Sequence, residues 1–228
     1  LRINGITATA APGHSLGEYA AMVYTGMVSR TDGFKLIKAR SLAMQKAAEN
    51  SSGAMFAIIG STPADIEKVC AETEGYVVPV NYNSSVQTVI AGEEAAAQAA
   101  ADTLAAAGAR AIRLNVAAAF HSKLMQGAAD EFKLAAEQIS FKTPEITMLS
   151  NISGTVLDSI DNMPERLALH IVSPVKFTSE LAYLSENGYD TFVECGPGKV
   201  LTGLVKKTLK GVNAMNVQDA DTLAKVIG

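Results

Sequence analysis

Cysteine is scarce in this chain: there are two in 228 residues, Cys70 and Cys195. They lie far apart and show no metal-ligand spacing. No metal site is indicated, no disulfide is needed, and a reducing, cytoplasmic setting is expected. No run of about 18 apolar residues occurs, so there is no candidate transmembrane helix, and no basic-then-apolar leader opens the chain. Charge is also sparse. The 19 Lys plus Arg against 23 Asp plus Glu give a net charge of −4, and charged residues make up 18%. This mild acidity argues against a general nucleic-acid or membrane-surface binder. Apolar side chain is what the sequence has, at 48%. That is enough to offset the entropy of ordering and to exclude disorder. The length suits one sizeable core, or a large core with a satellite.

Periodicity divides the chain in three. Small residues at 5–12 lead as a strand into Gly13-His14-Ser15-Leu16-Gly17, and helices are expected from Glu18 to about Thr25 and from Arg30 to about Asn50. Ser51-Ser52-Gly53 then reads as a stop. Between 53 and 116 the order is β-α-β-β-α-β: strand Ala54–Ile59, helix Pro63–Thr73, strands Tyr76–Asn81 and Thr88–Ala91, an Ala-rich helix to Ala107, and strand Arg110–Val116. This pattern predicts a small ferredoxin-like unit inserted into a larger domain formed by 1–52 and 117–228. After His121 helices and strands alternate to the end. The expected fold class is therefore α/β, with a parallel sheet covered on both faces.

Gly13-His14-Ser15-Leu16-Gly17 fits G-x-S-x-G, the nucleophile elbow, with a strand before it and a helix after it. Ser15 is the candidate nucleophile; the plainer reading is a helix N-cap serine. Only three histidines could serve it as a base. Alternation should point His14 away from the Ser15 hydroxyl. His121 is placed where the strand Arg110–Val116 ends and a helix begins, at the carboxyl edge of a parallel sheet, where a helix N-terminus would disfavour the imidazolium. A histidine capping its own helix is the alternative. His170, late in an apolar helix, reads as structural. No acid announces itself as a third triad member, and no histidine follows His170, which argues against an ordinary esterase of the α/β-hydrolase type. Arg40 suits a carboxylate-bearing substrate through its planar fork, although spacing alone leaves it a solvated surface arginine. Gly196-Pro197-Gly198-Lys199 lacks the Walker spacing and reads as a tight strand-to-helix turn rather than a phosphate cradle. Lys206, Lys207 and Lys210 form a basic patch that is either a solvated face or a contact for an acidic partner.

Taken together these stretches resemble the malonyl-CoA:acyl-carrier-protein transacylase family, the acyltransferases of fatty acid and polyketide synthesis. The resemblance rests on Gly13 through Tyr19, on Arg40 with Met44-Gln45, on Gly53-Ala54-Met55 and Asn81-Tyr82-Asn83-Ser84, and on Val89-Ile90-Ala91-Gly92. It continues through Ala119-Phe120-His121-Ser122, Ser173-Pro174-Val175 and Glu194-Cys195-Gly196-Pro197-Gly198-Lys199, in family order over nearly the whole chain. It implies an α/β-hydrolase-like core with an inserted ferredoxin-like subdomain. It also implies a ping-pong reaction in which Ser15 takes the malonyl group from malonyl-CoA and passes it to the phosphopantetheine thiol of acyl carrier protein. In that scheme His121 is the general base and the Leu16 N–H is an oxyanion donor. Arg40 holds the malonyl carboxylate, with Met44 beside it in the motif. Phe120 marks the malonyl-selective form, and a main-chain carbonyl near His170 orients the base. No cofactor or metal is implied, since the thioesters are substrates, and a monomer is implied for the intact enzyme. The family's N-terminal Gly-Gln-Gly-x-Gln strand has no counterpart in these 228 residues, so the chain is expected to lack its N-terminal segment. Three other readings stay open: an acyltransferase domain of a polyketide synthase, a serine thioesterase or esterase, and, for a shortened chain, a non-catalytic carrier-protein docking domain.

Overall fold

The structure, a computed structural model, describes residues 1–49, 53–116 and 118–228. The expected helix stop at 51–52 lies outside the described residues, as do the expected domain edges at 52 and 117. Nine helices and nine strands are described. A short strand β1 (Ala10–Ala11) runs through the elbow into α1 (Leu16–Tyr24), and α2 (Arg30–Glu49) follows. The middle of the chain is β2 (Gly53–Ile59), α3 (Pro63–Glu72), β3 (Val77–Ser84), β4 (Gln87–Glu93), α4 (Glu94–Ala106) and β5 (Arg110–Arg113). Then come α5 (Gln126–Ala136), β6 (Thr147–Ser150), β7 (Thr155–Val156), α6 (Met163–Val172), α7 (Phe177–Glu186), β8 (Thr191–Cys195), α8 (Val200–Thr208), β9 (Asn213–Val217) and α9 (Ala220–Ile227).

The middle segment forms a four-stranded, wholly antiparallel sheet in the order β3-β4-β2-β5. Strand alternation explains how it is covered. On β2, Ala54, Phe56 and Ile58 pack under α3 and α4 with Ile66, Ala97, Ala100 and Leu104. Met55 and Ala57 face the other way, against Val80, Val89, Ala91 and Ala119. Thr62 caps α3 by accepting from the Asp65 N–H, and Pro63 takes the first helical position, where a missing N–H costs nothing. The edge strand β3 is seated on the loop before α7: Tyr82 N donates to Val175 O at 2.9 Å, and Val175 N donates to Val80 O at 2.8 Å.

Three sequence expectations need correction. The strand expected over Arg110–Val116 stops at Arg113 and pairs antiparallel with β2, so His121 does not follow a strand of a parallel sheet. After one more bond, Leu114 N to Met55 O, the Val116 N–H turns back onto Leu114 O and the chain leaves the sheet. The strand expected to end at Asn81 runs on to Ser84, which still pairs with Gln87, so the turn is Ser85-Val86. Finally, the continuous parallel sheet is not formed among the described residues. Parallel pairing occurs as two separate pairs, β1 with β6 and β8 with β9, and β7 adds to β6 antiparallel. β1 offers only two ladder residues before Gly13 turns the chain, so its sheet stays narrow. The result is a mixed α/β fold. Its largest core joins α1, α2, α5 and α6 through Tyr19, Met22, Leu36, Phe132, Leu167 and Ile171.

Candidate active site

Ser15 sits at φ 52°, in the left-handed region, with ψ −107°. A non-glycine residue is held there only by its surroundings. Gly13 makes the turn possible: a Cβ there would lie 2.3 Å from Glu18 N and Gly17 C. Gly17 meets no such limit, since its Cβ would point into open space. The turn lifts the Ser15 side chain above the start of α1, and Leu16 occupies the first helical position, where an amide N–H has no intrahelical acceptor.

His121 Nε2 lies 2.7 Å from Ser15 Oγ. Its Nδ1 faces two carbonyl oxygens, His170 O at 3.1 Å and Ser173 O at 3.2 Å. A ring nitrogen between two acceptors must carry the proton, so Nε2 is the free acceptor for the serine O–H. His121 is itself at φ 60°. Ser122 after it caps only a short 3₁₀ turn, Lys123–Met125, so an α-helix N-terminus is not what keeps the imidazole neutral. Burial lowers its pKa to about 4, with the Arg40 charge second. His121 thus stays a free base far below neutral pH.

Arg40, on α2, is buried and donates from Nη2 to Ser15 Oγ at 3.0 Å. Its guanidinium lies 5.5 Å from the centre of the Tyr19 ring. No carboxylate among the described residues reaches ion-pair distance, and its Nε has no hydrogen-bond partner there. A buried cation in that condition is a site for an incoming anion. Ser15, Arg40, Met44, Phe120 and His121 line one cavity of about 740 Å³, together with Met55, Asn81 and Leu114. His14 lines it too, and its Nε2 is engaged by Asn83 Oδ1 at 2.7 Å rather than by Ser15. Leu16 is half-exposed at the start of α1. His170 lies behind His121, fully buried: its carbonyl oxygen faces His121 Nδ1, and its ring packs edge-on against the His121 ring at 5.6 Å.

Sequence reading missed Asn151, Glu18 and Glu180. The parallel pairing of β1 and β6 brings the carboxyl ends of both strands to one edge, so Asn151, just past β6, stands beside Ser15. Asn151 Oδ1 accepts from the Ser15 N–H at 2.7 Å, and its Nδ2 donates to Glu180 Oε1 at 2.9 Å and to Gly13 O. Burial pushes the Glu18 carboxyl up to about 7 and the Glu180 carboxyl well above the usual range. Glu18 lies in the elbow stretch itself, while Asn151 and Glu180 stand in no motif; the β1–β6 pairing brings Asn151 to the elbow, and Asn151 holds Glu180. The Gly196–Lys199 turn is occupied by the protein itself. Glu194 accepts from Leu201 N at 3.1 Å and from Thr202 N at 2.7 Å, filling the α8 N-terminus with a carboxylate where a phosphate would sit.

The chain is 38% identical over 218 residues to the malonyl CoA-acyl carrier protein transacylase of Escherichia coli (strain K12), covering 94% of this chain and 71% of that protein. It is 36% identical over 228 residues to the protein of the same name from Bacillus subtilis (strain 168), with 98% and 72% covered. The crystal structure of malonyl CoA-acyl carrier protein transacylase from Clostridium perfringens superposes with a TM-score of 0.96 at 36% identity, over 100% of this chain and 72% of that one. A malonyl-transacylase in complex with a type II PKS acyl-carrier protein (PlMCAT:AntF, holo) gives 0.93 at 35%, over 99% and 74%. The family description "Acyl transferase domain" matches residues 1–227. The chain belongs to the acyl transferase domain family.

Proposed function

We propose that this protein is an acyltransferase, an [acyl-carrier-protein] S-malonyltransferase, moving malonyl from malonyl-CoA to the phosphopantetheine thiol of acyl carrier protein in fatty acid biosynthesis. One observation carries the proposal: Ser15 Oγ is held between His121 Nε2 at 2.7 Å and Arg40 Nη2 at 3.0 Å in a single cavity. Ser15 Oγ attacks the thioester carbonyl carbon while its proton moves to His121 Nε2. The Leu16 N–H stabilises the oxyanion. The C–S bond breaks, and the coenzyme A sulfur leaves as a thiol with the proton from His121. The carrier-protein thiol then gives its proton to His121 and attacks the malonyl-Ser15 ester. The ester C–O bond breaks, and Ser15 Oγ recovers its proton.

Arg40 holds the distal carboxylate of the malonyl group, which replaces the serine hydroxyl as its main partner. Phe120 and Met44 form the apolar wall that limits the acyl group to malonyl. His170 acts through its carbonyl, which fixes the tautomer of His121 and replaces the missing acid. The thioester brings an activated acyl group, so the route calls on no metal or cofactor.

We read residues 53–116 as an inserted ferredoxin-like unit. Its support is the order β3-β4-β2-β5, in which the hairpin β3-β4 flanks the first strand and the last strand closes the other edge. A hydrolytic reading would send the malonyl-serine ester to water. A transfer assay with malonyl-CoA, holo carrier protein and water in competition separates the two. Malonyl appearing on the carrier protein faster than free malonate supports the transferase, and malonate without carrier loading overturns it. Two unpaired cysteines, Cys70 buried and Cys195 exposed, suit a cytoplasmic location. No helix among the described residues is long and apolar enough to cross a membrane.

A further inference from the structure

Asn151 uses every polar group it has. Its backbone N–H donates to Glu18 Oε2 at 2.9 Å, and its carbonyl accepts from Lys176 N at 2.9 Å. Its side-chain nitrogen donates to Gly13 O and to Glu180 Oε1, at 2.9 Å for the latter. Its side-chain oxygen accepts from Ser15 N at 2.7 Å and from His170 Nε2 at 3.2 Å. The amide orientation follows from its partners, because the Ser15 N–H can only donate and the Gly13 carbonyl can only accept. The side chain therefore grips the elbow on both sides of the nucleophile, at Gly13 O and at Ser15 N. It also holds the imidazole of His170, whose own carbonyl orients His121. Asn151 is fully buried, so each of these groups depends on the protein partner it has.

We propose that Asn151 is a positioning residue that registers the two halves of the Ser15–His121 dyad against each other, fixing the strained serine backbone and, through His170, the base. This rests on the reading of Ser15 as the nucleophile. Ser15 stands at φ 52°, a conformation its surroundings must hold. The 2.7 Å bond from its N–H to Asn151 Oδ1, together with the 3.2 Å bond from His170 Nε2 to the same oxygen, links the nucleophile to α6, which carries the base's orienting carbonyl. Without the amide, the turn can relax toward an ordinary helix start, and Oγ swings away from Nε2. A displacement of about 1 Å in such a geometry costs on the order of 10²-fold in rate. Substrate binding is untouched, because Asn151 does not line the cavity.

Two variants and two readouts test this. The first readout is the rate at which a small fluorophosphonate labels Ser15, which needs the dyad but no malonyl group. The second is the split between kcat and KM for malonyl transfer. Asn151→Ala is expected to lower both the labelling rate and kcat by about 10²-fold while KM for malonyl-CoA stays within about threefold. Asn151→Asp, protonated among the buried carboxyls, keeps an acceptor for Ser15 N and a donor for Gly13 O, and is expected to recover at least about tenfold of that loss. Wild-type labelling in a folded Asn151→Ala, a loss confined to KM, or an Asn151→Asp no better than alanine overturns the proposal. If Asn151→Ala does not fold, Asn151→Asp decides. Labelling within about tenfold of wild type upholds the positioning role, and labelling at background in a folded protein overturns it. No labelling of Ser15 in the wild type overturns the nucleophile reading itself, and the positioning role falls with it.

Discussion

Ser15 Oγ stands between a base and a cation, and the two are coupled. Arg40 makes the serine hydroxyl easier to ionise, and the same charge lowers His121, whose pKa burial has already brought to about 4. A protonated His121 cannot accept the serine proton, so activity is lost on the acid side of that value. The kcat/KM profile is therefore expected to hold level from neutral pH down to about pH 5 and fall near pH 4. An acid limb near the ordinary histidine value of about 6.5 contradicts this picture. Once the malonyl carboxylate neutralises Arg40, the kcat profile is expected to show its acid limb at higher pH than kcat/KM does. Replacing Arg40 by alanine removes the carboxylate's partner. Malonyl loading is expected to fall by about 10²-fold or more while transfer from a neutral acyl-CoA persists, because lost charge-assisted hydrogen bonds at a buried site cost several kcal/mol. Unaltered malonyl loading by Arg40→Ala would remove that role.

The elbow works as an element because Gly13 leaves no room for a side chain. Gly13→Ala forces a Cβ to within 2.3 Å of the backbone of Gly17 and Glu18. It is expected to destabilise the fold by about 3 kcal/mol or more, measured by denaturant unfolding. Gly17→Ala, facing open space, is expected to cost far less, and equal effects from the two changes would contradict this account of the turn. Ser15 was legible because it sits in a G-x-S-x-G turn, and His121 because only three histidines occur; Arg40 was pointed to only by the family resemblance, since its spacing alone reads as a solvated surface arginine. The sequence showed most helices and strands because their apolar positions repeat at 3.6 or 2 residues. It did not show Asn151 or Glu180, since an asparagine after a strand and a glutamate on a helix look alike wherever they point. The pairing of β1 with β6 brings Asn151 beside the nucleophile, and Glu180, on α7, joins it through Asn151 Nδ2. The extent of β5 was misread for a related reason: Leu114 and Val116 carry strand-like side chains, but their backbone bonds turn the chain toward the cavity.

Over the whole molecule, buried titratable groups set opposing pH trends. His14, His121 and His170 are all lowered, mainly by burial. The unfolded chain binds protons that the folded one refuses, so these residues withdraw stability as pH falls below about 6.5. Glu18 is raised to about 7, so the folded chain holds a proton that the unfolded one releases. Its contribution is lost as pH rises from about 4.5 through 7. Glu18→Gln keeps an acceptor for the Asn151 N–H and removes that loss. Between pH 5 and pH 8 it is expected to gain stability relative to wild type, by about 2–3 kcal/mol at most. A wild-type and variant difference that does not change with pH would rule out a neutral Glu18. At the same scale, the exposed Lys206 and Lys207 at the end of α8 and Lys210 just past it form a basic face, of the kind that suits an acidic partner. Changing all three to Glu is expected to raise KM for the carrier protein about tenfold or more while leaving malonyl-serine formation intact. An unchanged KM removes the patch from the docking surface.

The most direct test of the central claim is the mass of the intact protein after brief exposure to malonyl-CoA, with acetyl-CoA and Ser15→Ala as controls. One malonyl group, mapped to Ser15, absent from Ser15→Ala and discharged by holo carrier protein, is the predicted result. A protein that stays unmodified, or an adduct that survives in Ser15→Ala, would contradict the account.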